Sequence, residues 1–125
     1  MAHRVEHPAD LALHKEAFEY AKELIRQGKV NCDAEWKVNE PTPASEDQYL
    51  VQHGFTDYGK WFLATGPKSS DDTKEHYEFP FGDFNQIYRS GVIAAKQRAA
   101  QFKHSEVERA ASELLYLIDK NVCNA

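Results

Sequence analysis

The sequence predicts an α+β domain: an N-terminal helix, a small antiparallel β element and a C-terminal antiparallel helix pair. Three observations predict it. Leu13, Ala17, Ala21 and Leu24, with Phe18 and Ile25, recur at helical spacing among charged residues. Lys60–Thr65 and Glu75–Phe81 are short aromatic and apolar runs bounded by Gly59, Gly66-Pro67 and Gly82, as strands are. Tyr88, Val92, Ala95, Ala99 and Phe102 form a narrow apolar seam that Val107, Ala111, Leu114 and Ile118 continue.

The first helix is expected over Leu11–Gln27, with Asp10 as N-cap and Gly28 as the residue that ends it. Val30–Val38, with Trp36-Lys37-Val38, reads as a short strand. The prolines of Glu40-Pro41-Thr42-Pro43 break the chain. Ser45-Glu46-Asp47-Gln48 then reads as a capping box opening a short helix that stops at Gly54, and a strand over Tyr49–Gln52 competes with it. Lys68–Thr73 is a polar loop. In Glu75–Phe81, Tyr77, Phe79 and Phe81 share one side, and Pro80, which cannot donate to a ladder, marks an edge strand or a strand end. Gln86–Tyr88 offers a short third piece. Ser105 and Glu108 read as a second capping box, and the few residues around Lys103 and His104 force the last two helices to fold back antiparallel.

A chain of 125 residues, 42% hydrophobic and 12% aromatic, has enough apolar material for one core and too little for two. Residues 1–125 are therefore read as one domain, with 1–9 as a flexible terminus. Its apolar runs are too short to span a bilayer, and the first ten residues lack the apolar stretch of a secretory signal. Cys32 and Cys123, far apart and outside any CxxC, are expected to be unremarkable reduced thiols, which places the chain in the cytoplasm.

The net charge of −5 argues against bulk attraction to nucleic acid or to an anionic membrane. Its distribution is uneven. Phe84–Ser105 holds Arg89, Lys96, Arg98 and Lys103 with no acid, whereas Asn31–Gly59 sets six acids against Lys37 alone. Arg89, Lys96 and Lys103 are heptad-spaced along one flank of the seam helix. They are the candidate interaction surface. Either the flank faces solvent and balances the fold's own acids, docking on the Asn31–Gly59 region, or it meets phosphate or an acidic partner.

No constellation announces catalysis. The six histidines do not form paired ligands at zinc spacing, so no metal or cofactor is expected. Asp71 and Asp72 sit in a polar loop where solvated capping carboxylates outnumber acid–base pairs. There is no nucleophile elbow, P-loop or dinucleotide fingerprint. Seven aromatics between Trp61 and Tyr88 are mostly core, with some left for an exposed patch.

Four blocks carry a likeness: Tyr58-Gly59-Lys60-Trp61, Asp72-Thr73-Lys74, Tyr77-Glu78-Phe79-Pro80-Phe81-Gly82-Asp83 and Arg89-Ser90-Gly91-Val92-Ile93-Ala94-Ala95. Together they resemble a short module that accompanies phage prohead-protease-like and head-morphogenesis proteins and occurs in bacterial hypothetical proteins. The likeness spans about residues 58–119 and brings no assigned catalytic residue. It implies an accessory role of phage descent. The leading expectation is a non-catalytic module that binds a protein partner or a second copy of itself. A small ligand-binding protein or enzyme, with a pocket near the aromatic hairpin that gathers a histidine or Asp71/Asp72, is the alternative. Nucleic-acid contact through the basic helix comes third.

Overall fold

The structure is a computed structural model that describes residues 11–123. The element order is β1 (Ala12–Leu13), α1 (Lys15–Arg26), β2 (Val30–Asn31), α2 (Trp36–Asn39), α3 (Pro43–Gly59), β3 (Phe62–Thr65), β4 (Tyr77–Pro80), β5 (Ile87–Tyr88), α4 (Arg89–Gln101) and α5 (Ser105–Asn121). The fold is α+β. A three-stranded sheet in the order β1-β3-β4 is antiparallel throughout, pairing Leu13 with Ala64 and Phe62 with Pro80. β4, with its proline, lies at the edge. The Gln86–Tyr88 piece pairs in parallel with β2 and not with the hairpin, Val30 opposite Ile87.

The first helix begins later than its periodicity suggests. His14, not Asp10, is its N-cap, and Asp10 lies outside the described residues. Ala12–Leu13 are extended because β3 has a free side there, and the His14 amide donates to the Leu63 carbonyl at 2.9 Å. Ladder bonds satisfy the backbone as fully as a first helical turn would. Gly28 ends α1 as expected. It sits at φ +75°, while its amide donates to the Ile25 carbonyl and the Lys29 amide to the Leu24 carbonyl.

Trp36-Lys37-Val38 is a single helical turn, not a strand. The Asn31 side chain accepts from the Asp33 and Ala34 amides, a local turn that ends β2 after two residues. α3 starts three residues earlier than the Ser45 box requires. Thr42 is the N-cap and Ser45 is N3, each side chain bonding the other's amide, with Pro43 in the first turn. Gly54, at φ +82° and ψ 174°, does break the helix, but a second segment resumes and runs to Gly59. The strand reading of Tyr49–Gln52 is therefore overturned.

The C-terminal pair is as expected. Val92, Ala95, Ala99, Val107, Ala111, Leu114 and Ile118 are all buried where α4 and α5 pack together. Phe102, at the seam's end, is 36% exposed. The turn has its own chemistry. Lys103 adopts φ +57°, its amide donating to the Ala100 carbonyl and that of His104 to the Ala99 carbonyl, so a lysine fills the left-handed position that glycine fills in α1. Ser105 makes no cap. His104 is the N-cap residue of α5, and its Nε2 donates to the Leu11 carbonyl, tying the interhelix turn to the start of the sheet.

The largest correction concerns the cysteines. Cys32 and Cys123 are bonded to one another, with Cα atoms 5.6 Å apart, across a separation of 91 residues. They are not free thiols. Periodicity fixes each helix alone, and only the packing of α5 back against α1 and the sheet brings its end to the loop after β2.

Candidate functional site

The residues of the four blocks are largely spent on folding. Trp61 and Phe81 are buried in the core. A Cβ on Gly82 would come within 2.6 Å of both the Trp61 ring and the Gln86 carbonyl, so only glycine fits that approach. Asp83 organises the connection to β5. One oxygen accepts from the Asn85 and Gln86 amides, and the other accepts from the Tyr88 hydroxyl at 2.9 Å. Ser90 donates to the Ala34 carbonyl, docking α4 on the loop before α2.

The basic flank is not a continuous free stripe. Arg89 forms a two-pronged pair with Asp119 of α5, at 2.7 and 3.0 Å. The Asp119 carboxyl is held below the usual carboxylate range by the hydrogen bond from the Arg89 guanidinium. Lys96 and Lys103 make no ion pair among the described residues. Arg98 turns to the other side of α4, into a cleft of about 120 Å³ shared with Trp36, Glu40 and Glu78. Ser90 thus bonds to the Asn31–Gly59 region, and Arg98 faces it across that cleft. The Arg89–Asp119 pair is exposed enough for screening, so replacing Asp119 by Asn is expected to cost about 0.5–1 kcal/mol in urea denaturation. Because that carboxyl's pKa is lowered in the fold, the pair's contribution is present above the ordinary aspartate range and is lost as pH falls through the folded value.

Two hollows flank the aromatic hairpin. The first, about 200 Å³ and open, lies between α3 and the β4–β5 connection, lined by Ser45, Gln48, Tyr49, Gln52, Asp83 and Phe84. There His53, Tyr49 and Phe84 stack, with ring centres 4.2 and 4.5 Å apart. Phe84 is held at φ +68°, a conformation that costs an aromatic residue on the order of 1–3 kcal/mol. The second hollow, about 290 Å³, lies at the other end of the hairpin. It is lined by His14, Glu16, Thr56, Thr65, Asp71, His76 and Tyr77. A chain of ring contacts connects the two, from Phe84 to Tyr58 at 5.7 Å, Tyr58 to Tyr77 at 5.8 Å and Tyr77 to His76 at 4.8 Å.

Tyr58, 1% exposed, also anchors a polar network that the sequence did not announce. Its hydroxyl bonds to the half-buried Glu46 carboxylate, and Lys74 lies 3.3 Å from Glu46 and 2.6 Å from Asp47. Burial pushes the Tyr58 phenol far up and, more modestly, raises the Glu46 carboxyl above its ordinary value despite Lys74. A raised acid binds its proton more tightly in the fold than in the unfolded chain. Glu46 therefore contributes stability that is full below the unfolded glutamate pKa and lost as pH rises through the folded one. Glu46→Gln, which keeps an acceptor for Tyr58, should gain stability relative to wild type across that window as pH rises. Paired denaturation curves at a series of pH values measure this.

The polar loop behaves as capping chemistry. The Asp72 carboxylate accepts from the Ser70 hydroxyl, while the Asp71 main-chain carbonyl accepts from the Tyr77 hydroxyl at 2.6 Å. Of the histidines, His14 and His76 line the second hollow, His53 stacks on Tyr49 beside the first, and His3 and His7 lie outside the described residues. Among the described residues no three His, Cys, Asp or Glu side chains converge to hold a metal ion. No protein-family model, curated protein or solved structure matches the chain.

Proposed function

We infer that this chain is a non-catalytic interaction module that docks a protein through the face formed by α3 and Phe84. The observation that carries this reading is the surface stack of His53, Tyr49 and Phe84, with Phe84 kept in an unfavourable backbone conformation over an open hollow. Strain of that kind is retained where the surroundings or a partner use it. Most of the face belongs to the acidic Asn31–Gly59 segment, and Gln52 on it is exposed. Those features suit a basic, partly apolar protein surface, supplied by another protein or by a second copy of this chain. The accessory setting implied by the likeness to phage head-morphogenesis modules is part of this proposal.

Nucleic acid fits less well, since Arg89 is committed to Asp119 and Arg98 lies among Glu40 and Glu78. No helix among the described residues is long and apolar enough to cross a membrane. The compartment is open to a direct test. Two reduced thiols would belong to the cytoplasm, whereas a Cys32–Cys123 bond persists in oxidising surroundings. Thiol trapping at the moment of lysis distinguishes them, because only cytoplasmic chain would yield alkylated Cys32.

Sedimentation over a range of concentrations, with cross-linked capture from the native cell, tests the docking face. Wild type should self-associate or retain a partner, and Gln52→Arg, at an exposed residue lining the hollow, should abolish that without altering thermal stability. A monomer at every concentration, with identical captured proteins for both forms, would overturn the reading. A second reading, small-ligand binding, is favoured by the hollow beside Tyr77 and its two histidines.

A further inference from the structure

The geometry points to the hollow between α1, the β3 end and the 66–77 loop as a binding site for a small organic cation, an ammonium or guanidinium group on a short carbon frame. This rests on the ligand-binding reading and is independent of the docking face.

The hydrogen-bond inventory of the hollow leads to it. The His14 Nδ1 lies 3.1 Å from the Phe62 carbonyl, and the His76 Nδ1 lies 2.8 and 3.1 Å from the Gly66 and Ser69 carbonyls. A carbonyl only accepts, so both Nδ1 atoms carry the hydrogen. In the neutral imidazoles each Nε2 is then an acceptor, the tautomer being fixed from behind by main chain, and that of His14 lies 3.7 Å from a Glu16 carboxylate oxygen, two acceptors with no hydrogen of their own between them. The sheet and its following loop thus set both rings before any ligand arrives.

Glu16 and Asp71 add carboxylates to the lining, and no lysine or arginine lies among the lining residues. Lys74, at the end of the 66–77 loop, is held by Asp47 and Glu46 on the α3 side. The Tyr77 hydroxyl is already donated to the Asp71 carbonyl. Thr56 and Thr65 are the remaining donors. Acceptors and negative charge therefore exceed donors and positive charge. A ligand rich in N–H groups and carrying a positive charge corrects both imbalances, whereas a carboxylate or phosphate would aggravate them. The volume, about 290 Å³, is at the lower bound of small-molecule sites and suits a fragment-sized ligand. Aromatic edges and faces from Tyr77, with His14 and His76 at 6.0 and 4.8 Å from its ring, give a cation a favourable wall.

The test uses methylguanidinium and n-butylammonium as probes, with sodium butyrate at matched ionic strength as the opposite charge. Imidazole carbon–proton resonances are followed by NMR and assigned by their loss in His14→Gln and His76→Gln. The expected result is a saturable shift of both the His14 and His76 signals with the two cations. The dissociation constant should be on the order of 1 mM for such fragments, with no response to butyrate. The double variant Glu16→Gln/Asp71→Asn changes two exposed side chains, and circular dichroism verifies its fold. It should weaken binding by about tenfold or more. No saturation within about tenfold of that concentration, an equal response to butyrate, or unchanged affinity in the double variant would overturn the proposal. So would a response confined to His53, which would move the ligand to the docking face. Loss of self-association or partner capture in Gln52→Arg leaves this outcome untouched, so the two proposals fail separately.

Discussion

Reducing the Cys32–Cys123 bond is expected to lower the unfolding free energy by about 4–5 kcal/mol, the chain-entropy value for a closed loop of this length. The separation of 91 residues encloses nearly everything from β2 to the end of α5, so the unfolded chain loses much freedom when the link is intact. Urea denaturation of wild type with and without a thiol reductant, beside Cys123→Ser, gives the difference directly. The midpoint should fall, and the slope should rise as the reduced unfolded chain expands. A loss under about 1 kcal/mol would mean that the reduced unfolded chain already keeps these ends together. The effect should be concentrated at one end of the molecule. There the bond works beside two other ties between distant segments, Arg89 to Asp119 and Ser90 to the Ala34 carbonyl. Because these three cluster, Asp119→Asn should cost more in the reduced protein than in the oxidised one, a departure from additivity expected of neighbouring constraints.

The parts of the fold that were legible in the sequence are those whose signal is local and periodic. Val92, Ala95 and Ala99 opposite Val107, Ala111, Leu114 and Ile118 need only a 3.6-residue repeat to be recognised, and all are buried. Gly28 needs only its own backbone freedom. The misread elements are short ones decided by partners elsewhere. Ala12–Leu13 are extended because β3 is there to receive them, and Trp36-Lys37-Val38 are helical because the Asn31 turn ends the strand first. The α3 cap moved from Ser45 to Thr42, since the same box pattern can be satisfied in two registers and Pro43 favours the earlier one.

The site was less legible for the same reason. The aromatic hairpin suggests a pocket that gathers a histidine or Asp71/Asp72, and the hollow there is lined by His14, Asp71 and His76 but not by Asp72. Which histidines would meet was hidden by the separation of His14 from His76, 62 positions further along the chain. The Tyr58–Glu46–Lys74 network left no trace either, because its three members come from the two segments of α3 and from the short 3-10 turn Lys74–His76. Arg89, Lys96 and Lys103 share a heptad spacing, but the bond of Arg89 to Asp119 of α5 and the closing of α4 by the Lys103 backbone depend on the fold and leave no trace in that spacing.

Leu114→Ala is expected to cost between about 2 and 5 kcal/mol, in the upper half of that range. The side chain is fully buried at the middle of α5, within the single apolar cluster that includes Leu11, Ala17 and Phe62. Deleting its outer carbons removes transfer energy and leaves a void, and the final cost depends on how far the surroundings close over it. Here they have little freedom to do so. The seam residues opposite, Ala95 and Ala99, are already small, so the facing backbone cannot be drawn in by a change of rotamer. α5 itself is fixed at both ends, by the His104–Leu11 hydrogen bond at its start and by Asp119 and Cys123 at its finish. A helix held in this way does not slide into a cavity. Leu117→Ala, at a partly buried position on the same helix, should cost clearly less and serves as the comparison. Denaturation at constant slope would read both values. Equal losses for the two variants, or a loss under about 1 kcal/mol for Leu114→Ala, would place the stability centre of the domain elsewhere than the α4–α5 seam.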